Sequence, residues 1–150
     1  MEPVGDLHID DFCKDTAKIL IALYRRFPSK STVFVEDISG PDAPDEFGLH
    51  NPRFEACFAA MLWLKETDYI FFNQTIRQEA IEEATLSHRS FRLLSSLETD
   101  GEHLNGAGYE SGKPRITRRI DCMKNTLKTG NSEHLKELIL SYFGLSRQLQ

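Results

Sequence analysis

The chain has 150 residues, of which 40% are apolar and 27% are charged, and its formal net charge is −5. This composition is typical of a globular protein. The length is sufficient to bury a core without stabilising disulfide bonds or metal sites. No run of about 18 apolar residues is present, so no membrane span is expected, and the acidic balance counts against a dedicated nucleic-acid-binding protein, a class that is usually basic.

The cysteines indicate a reducing environment. Cys13, Cys57 and Cys122 are far apart, and each lies among apolar residues. A disulfide framework or a zinc site would need cysteines in pairs or at short spacing. The first six residues also lack the basic start and apolar stretch of a signal peptide. We therefore expect reduced core thiols, no metal, no cofactor and a cytoplasmic location.

The first strong pattern along the chain is helical. Apolar side chains recur at helical spacing from Asp10 or Asp11 to Phe27, and Pro28 ends the helix. Asp10, Asp11 and Asp15 lie near the helix start, where carboxylates favour the helix dipole. A short β-branched run at residues 32–35 then predicts a strand.

The next segment predicts a turn, a loop and a second long helix. Residues 36–38 fit a single helical turn, and residues 40–48 form a polar, acidic loop that is punctuated by glycine and proline. Asn51 followed by Pro52 is typical of a helix start, because Asn caps the free N–H groups and proline fits the first helical position. This helix is predicted to end near Glu66.

Residues 69–72 predict a strand, and the segment after them is ambiguous. The Ala and Glu content of residues 76–86 favours a helix, which would continue to residue 97 as one long helix. A strand at 79–86, pairing back on 69–72 as a hairpin, fits the same residues. Ser87 is a good cap for a following helix in the second case.

The character of the chain changes after residue 97. Residues 98–113 are rich in glycine and poor in apolar side chains, which predicts a flexible linker. Residues 114–150 hold two amphipathic helices, which predict a helical hairpin. The second is capped by Asn131 or Ser132 and is predicted to end at Gly144. Since isolated short helices are marginal in water, their apolar stripes are expected to form a homodimer interface. These stripes comprise Ile116, Ile120, Met123 and Leu127, then Leu135, Leu138, Ile139, Tyr142 and Phe143.

The order of elements between residues 10 and 97 resembles that of the winged helix-turn-helix superfamily. The sequence at 63–70 is similar to the passage from a recognition helix into the first wing strand, and that at 84–94 to the passage from the second wing strand into the closing helix. The resemblance implies a mainly α fold with a small β-hairpin, in the α+β class. It divides the chain into a winged-helix domain at 1–97, the linker and the hairpin.

Many members of this superfamily place the third helix in the DNA major groove. The corresponding positions and the arginines near the wing are therefore candidate contacts to DNA or to a protein partner: His50, Asn51, Arg53, Glu55, Arg77, Arg89 and Arg92. At the start of the third helix only Arg53 suits a phosphate or guanine. Five carboxylates lie where the DNA backbone would pass, at Glu36, Asp37, Asp42, Asp45 and Glu46.

No catalytic motif is complete. Ala107 and Pro114 stand where a P-loop needs Gly and Ser or Thr, and no histidines have the helical spacing that favours metal binding. We therefore predict a protein that is not an enzyme: a non-catalytic protein-interaction module, within a regulatory or defence-related complex of a bacterium or phage. The alternative is a DNA-binding transcriptional regulator that dimerises through the hairpin. Residues 113–128 form a basic stretch, which is either a solvated helix face or a clamp for the acidic residues 36–55.

Overall fold

The computed structural model describes residues 7–99 and 116–147. This part of the chain combines helices with two small antiparallel sheets. It is therefore an α+β fold, in agreement with the class predicted from the sequence. The elements are α1 (Leu7–Arg26), β1 (Ser31–Phe34), α2 (Val35–Ser39), α3 (Pro52–Glu66), β2 (Ile70–Phe71), β3 (Gln74–Ile76), β4 (Ala80–Leu86), α4 (His88–Ser95), β5 (Leu97–Thr99), β6 (Ile116–Arg118), α5 (Arg119–Thr129) and α6 (Ser132–Ser146). None of the helices in the described ranges is long and apolar enough to cross a membrane.

Helix α1 is the centre of the packing. It begins three or four residues earlier than the sequence predicted, and Arg25 and Arg26 in its last turn carry the charge that a helix C-terminus favours. It contacts α3, α5, α6 and β4. Because neighbours cover it on several sides, residues Ala17, Ile19 and Leu23 are almost completely buried.

The larger sheet is built around β4. Strand β1 pairs antiparallel with β4, and β2 and β3 also pair with it. Between the Ser31–Ala84 and Val33–Ile81 pairs, β4 has one more residue than β1, which is a β-bulge. Glu83 lies in this bulge with a positive φ of 55°.

The ambiguous segment 76–86 is thus a strand over most of its length, and the alternative of one long helix at 76–97 is wrong. Ala80, Ile81, Ala84 and Leu86 are buried. Pairing with three strands and burial of these side chains outweigh the modest helix preference of Ala and Glu.

Local capping signals fix the helix ends that the sequence predicted. The Asn51 side chain accepts a hydrogen bond from the Phe54 N–H at 2.8 Å, and the Ser87 hydroxyl accepts one from the Ser90 N–H at 3.1 Å. Asn131 caps α6 in the same way. Gly130 ends α5 with a φ of 74°, a left-handed conformation that glycine adopts without strain.

The two C-terminal helices belong to the main core. Most of the predicted oligomerisation stripe is buried within the chain, in one apolar cluster with α1 and α3: Ile120, Met123, Leu135, Leu138, Ile139 and Tyr142. Phe143 is half-buried beside Tyr69, with ring centroids 4.8 Å apart, and Leu127 is half-buried at the edge of the cluster. Burial inside one chain removes the reason for expecting a dimer through these side chains.

Two details of the predicted hairpin are wrong. Ile116 does not belong to the helical stripe; it lies in β6, and its side chain is 71% exposed. Helix α6 also passes through Gly144 and ends at Ser146, because the Ser146 hydroxyl bonds to that of Tyr69 at 2.7 Å and holds the last turn against the core.

The first residues of the predicted linker belong to a strand. Leu97–Thr99 forms β5, which pairs antiparallel with β6. The Glu98 side chain is only 1% exposed, and Arg119 pairs with it at 3.1 Å. The remainder of the predicted linker, residues 100–113, lies outside the described residues.

Candidate functional site

The loop before α3 is held in place by one carboxylate. Asp42 accepts hydrogen bonds from the backbone N–H of Asn51 at 3.0 Å and from its side-chain amide at 2.6 Å, and it pairs with His50. Its side chain is only 5% exposed. Burial acts to raise the pKa of Asp42, but the hydrogen bonds from Asn51 and His50 outweigh it and hold the pKa below its ordinary value.

A second carboxylate shapes the tip of the same loop. Asp45 accepts hydrogen bonds from the N–H groups of Phe47 at 2.9 Å and Leu49 at 3.0 Å. Gly48 closes the turn with a φ of 77°, and its N–H donates to the Asp45 carbonyl at 2.9 Å. The turn presents two large apolar side chains to solvent, since Phe47 is 78% and Leu49 is 60% exposed.

A pocket of about 340 Å³ lies beside this loop. Its lining combines aromatic and apolar side chains with carboxylates and one imidazole: Phe34, Pro44, Phe54, Glu36, Asp42, Glu79 and His50. The His50 ring stacks on Phe54 with centroids 4.1 Å apart. Loop 41–50 and this pocket together are called the acidic face below. Its chemistry suits a cationic group with an apolar stem, such as Lys or Arg.

Arg53, the predicted DNA contact, is bound inside the chain. Its guanidinium forms a bidentate pair with Asp15 of α1, one bond of which is 2.6 Å, and its Nε lies 3.6 Å from Asp11. The hydrogen bond to Asp15 raises the pKa of Arg53. The Asp15 side chain is 1% exposed and that of Arg53 is 30% exposed, so the pair links α1 to α3 through a buried carboxylate.

The other predicted site residues differ in their contacts and exposure. His50 and Asn51 hold the loop through Asp42, and Glu55 is exposed on α3. Arg89 donates to the Thr67 carbonyl and lies 4.3 Å above the Tyr69 ring. Of the predicted set, His50, Asn51 and Arg53 thus come together at the start of α3, but all three are engaged within the chain.

Two of the predicted arginines are exposed to solvent. Arg77 is exposed in the turn between β3 and β4, with a φ of 53°. Arg92 is exposed on α4. These two side chains are the cations of the predicted set that face solvent.

Two of the three buried thiols are unreactive at neutral pH. Burial is the main cause that raises the pKa of Cys13 to about 11 and that of Cys57 to about 12, so both are protonated at neutral pH and are poor nucleophiles. In the ranges 7–99 and 116–147, no group of three or more His, Cys, Asp or Glu side chains is arranged to hold a metal ion.

Sequence reasoning missed two features of this site. Asp15 was interpreted as a carboxylate that favours the start of α1, although its spacing from Phe12 and Ile19 places it within the apolar stripe. Phe47 was missed because residues 40–48 were interpreted as polar, and Leu49 lies directly after that range. Two large apolar residues close to several carboxylates were the signal that could have identified them.

Comparison with protein-family models, with curated proteins and with solved structures found no match to this chain, so any functional assignment depends on the geometry described above.

Proposed function

We propose that the chain is a non-catalytic protein-interaction module that binds basic and apolar side chains of a partner protein through its acidic face. The observation that carries the proposal is the exposure of Phe47 and Leu49 on a turn that Asp45 holds by two hydrogen bonds. Exposed apolar side chains mark interaction surfaces when they cluster. A loop that is already ordered loses little entropy on binding.

The charge around these side chains indicates the chemistry of the partner. Glu36 and Glu79 are exposed at the pocket, and Glu46 is exposed on the loop. An acidic rim around an aromatic floor favours a basic partner and repels nucleic acid. The pocket lining within the described residues contains no Ser, Thr or Cys beside His50, which supports binding over nucleophilic catalysis.

The proposed scaffold is a winged-helix-like domain. Supporting it is the order of α1, β1, α2, α3, β2, β4 and α4, which follows the order that the resemblance implies. Strand β3 lies where the resemblance implies a loop between two strands. In this proposal α3 is a structural helix, because Arg53 is paired with Asp15 and Asn51 is a cap. Its placement in a bacterial or phage complex stays a prediction.

The test measures binding of labelled short peptides by fluorescence anisotropy. Substitutions in the acidic face should leave any binding of a peptide of Glu and Leu residues unchanged, and we expect a peptide of Arg and Leu residues to bind at this face. The double variant Phe47→Ser/Leu49→Ser should weaken binding at least about tenfold. The matched control is Phe71→Ser/Leu140→Ser, which removes two side chains of 48% and 50% exposure from other surfaces and should leave binding unchanged.

Two results would contradict this proposal. If duplex DNA binds at physiological salt, and if Arg77→Glu/Arg92→Glu abolishes that binding, the DNA-binding alternative replaces this proposal. Equal binding of the Arg-Leu peptide by the Phe47→Ser/Leu49→Ser variant would show that the acidic face is not the site.

A further inference from the structure

A second surface has the opposite charge. α1, β1, α2 and α5 line a groove of about 740 Å³, a volume within the range of ligand-binding clefts. Five of its lining side chains are cations and one is a carboxylate: Lys18, Arg25, Arg26, Lys124, Lys128 and Asp37. The groove thus carries a net of four positive charges in a chain whose net charge is −5.

Helical spacing explains why these cations meet. On α1, Arg25 and Arg26 lie about two turns after Lys18 and on the same side of the helix. On α5, Lys128 lies one turn after Lys124. Cations in the last turn of a helix are expected, because they offset the helix dipole. Lys18 and Lys124 lie in the middle of their helices, so the dipole does not account for them.

The floor of the groove is apolar. Ile21, Val33 and Ile38 are nearly buried, with exposures of 5%, 7% and 5%, and Leu127 is half-buried beside them. Lys18 is tied across the groove, since its amine donates to the Ile38 carbonyl at 3.2 Å. Ala22 lies between the cations on α1 and contributes only a methyl group to the lining. A ligand that fills this groove therefore meets an apolar strip between two cationic rims.

We propose that this groove binds an acidic, amphipathic segment of a partner protein, with apolar side chains on the floor and carboxylates against the Lys and Arg rims. An amphipathic helix in a groove is a recurrent mode of protein recognition. A nucleic-acid backbone would satisfy the cations but not the apolar floor. The lining within the described residues includes no aromatic side chain on which a base could stack.

This surface is distinct from the acidic face. α2 contributes Asp37 and Ile38 to the groove and Glu36 to the pocket of the acidic face. The two faces share none of the residues that line them. The chain would then join a basic segment and an acidic segment, as an adaptor between two partners.

The test uses anisotropy with three labelled probes. They are an amphipathic helical peptide of Glu and Leu, the same peptide with each Leu replaced by Ser, and a duplex DNA. We expect the Glu-Leu peptide to bind, the Glu-Ser peptide to bind at least about tenfold more weakly, and binding to weaken as salt rises.

Two charge-reversal variants assign the site. Arg25→Glu/Lys128→Glu should weaken binding of the Glu-Leu peptide at least about tenfold. Lys65→Glu/Arg147→Glu changes the net charge equally at exposed positions outside the groove and should leave binding unchanged. Circular dichroism establishes that both variants are folded. The Phe47→Ser/Leu49→Ser variant should still bind this peptide, so failure of the proposed function and failure of this inference can be told apart.

Three results would overturn the inference. Equal affinity for the Glu-Leu and Glu-Ser peptides would show that the apolar floor is not used. Tighter binding of duplex DNA, lost in Arg25→Glu/Lys128→Glu, would assign the groove to nucleic acid. Absence of binding by all three probes would show that the cations are a solvated surface.

Discussion

At the scale of single residues, the Arg53–Asp15 ion pair links α3 to α1. Asp15 is 1% exposed, whereas Arg53 is 30% exposed, so the carboxylate depends on its partner more than the guanidinium does. Removing one member of a buried ion pair leaves an uncompensated charge. We expect Arg53→Ala to lower the free energy of unfolding by about 3 kcal/mol, measured by urea denaturation.

The matched control is Arg92→Ala, because Arg92 is exposed on α4. It should change the free energy of unfolding by less than about 0.5 kcal/mol. If Arg53→Ala proved as stable as Arg92→Ala, the side chain would be free to act at the surface, and a role in binding DNA would regain support.

At the scale of elements, the short β5–β6 sheet is anchored by a buried polar network. The Tyr142 hydroxyl donates to Glu98 at 2.6 Å, and Arg119 pairs with the same carboxylate at 3.1 Å. Burial, and then the hydrogen bond to Glu98, raise the pKa of Tyr142, so the hydroxyl remains a donor at any physiological pH. The network joins β5 to α5 and α6.

We expect Tyr142→Phe to lower the free energy of unfolding by about 2 kcal/mol, because it removes a hydrogen bond to a charged acceptor. Tyr69→Phe is the comparison: its hydroxyl bonds to the neutral Ser146 hydroxyl at 2.7 Å, and its loss should cost about 1 kcal/mol. Chemical denaturation of both variants gives the difference. A smaller effect for Tyr142→Phe than for Tyr69→Phe would contradict the anchoring role of Glu98.

At the scale of the whole molecule, α5 and α6 unfold with the rest of the chain if they share its core. Leu138 is 2% exposed within the cluster that contains α1, whereas Leu140 on the same helix is 50% exposed. We expect Leu138→Asp to lower the free energy of unfolding by at least about 4 kcal/mol, a large part of the stability of a domain. Leu140→Asp should have an effect below about 0.5 kcal/mol.

Thermal unfolding distinguishes a shared core from a separate hairpin. A shared core gives one cooperative transition, which Leu138→Asp shifts or abolishes. An independent hairpin would leave a transition of unchanged midpoint for residues 7–97. The homodimer stays a prediction, and its interface would need a surface other than the stripe that is buried against α1.

The local sequence determined the elements whose ends are set by neighbouring residues. The pair Asn51 and Pro52, then Ser87, and then Asn131 or Ser132 predicted three helix starts. The observed caps are Asn51, Ser87 and Asn131, because a capping side chain bonds to an N–H group only a few residues away. The apolar periodicity of α1 also predicted a buried helix. Such signals need no knowledge of the rest of the fold.

Tertiary structure decided what depends on distant partners. Residues 80–86 became a strand because β1, β2 and β3 pair with them, and local preference is too weak to resist that pairing. The Arg53 guanidinium is paired with Asp15, which lies 38 positions away in sequence. The apolar side chains of α5 and α6 pack against α1, whereas the sequence predicted that they would pack against a second copy of the chain. An amphipathic pattern specifies that a helix face is buried but not what covers it.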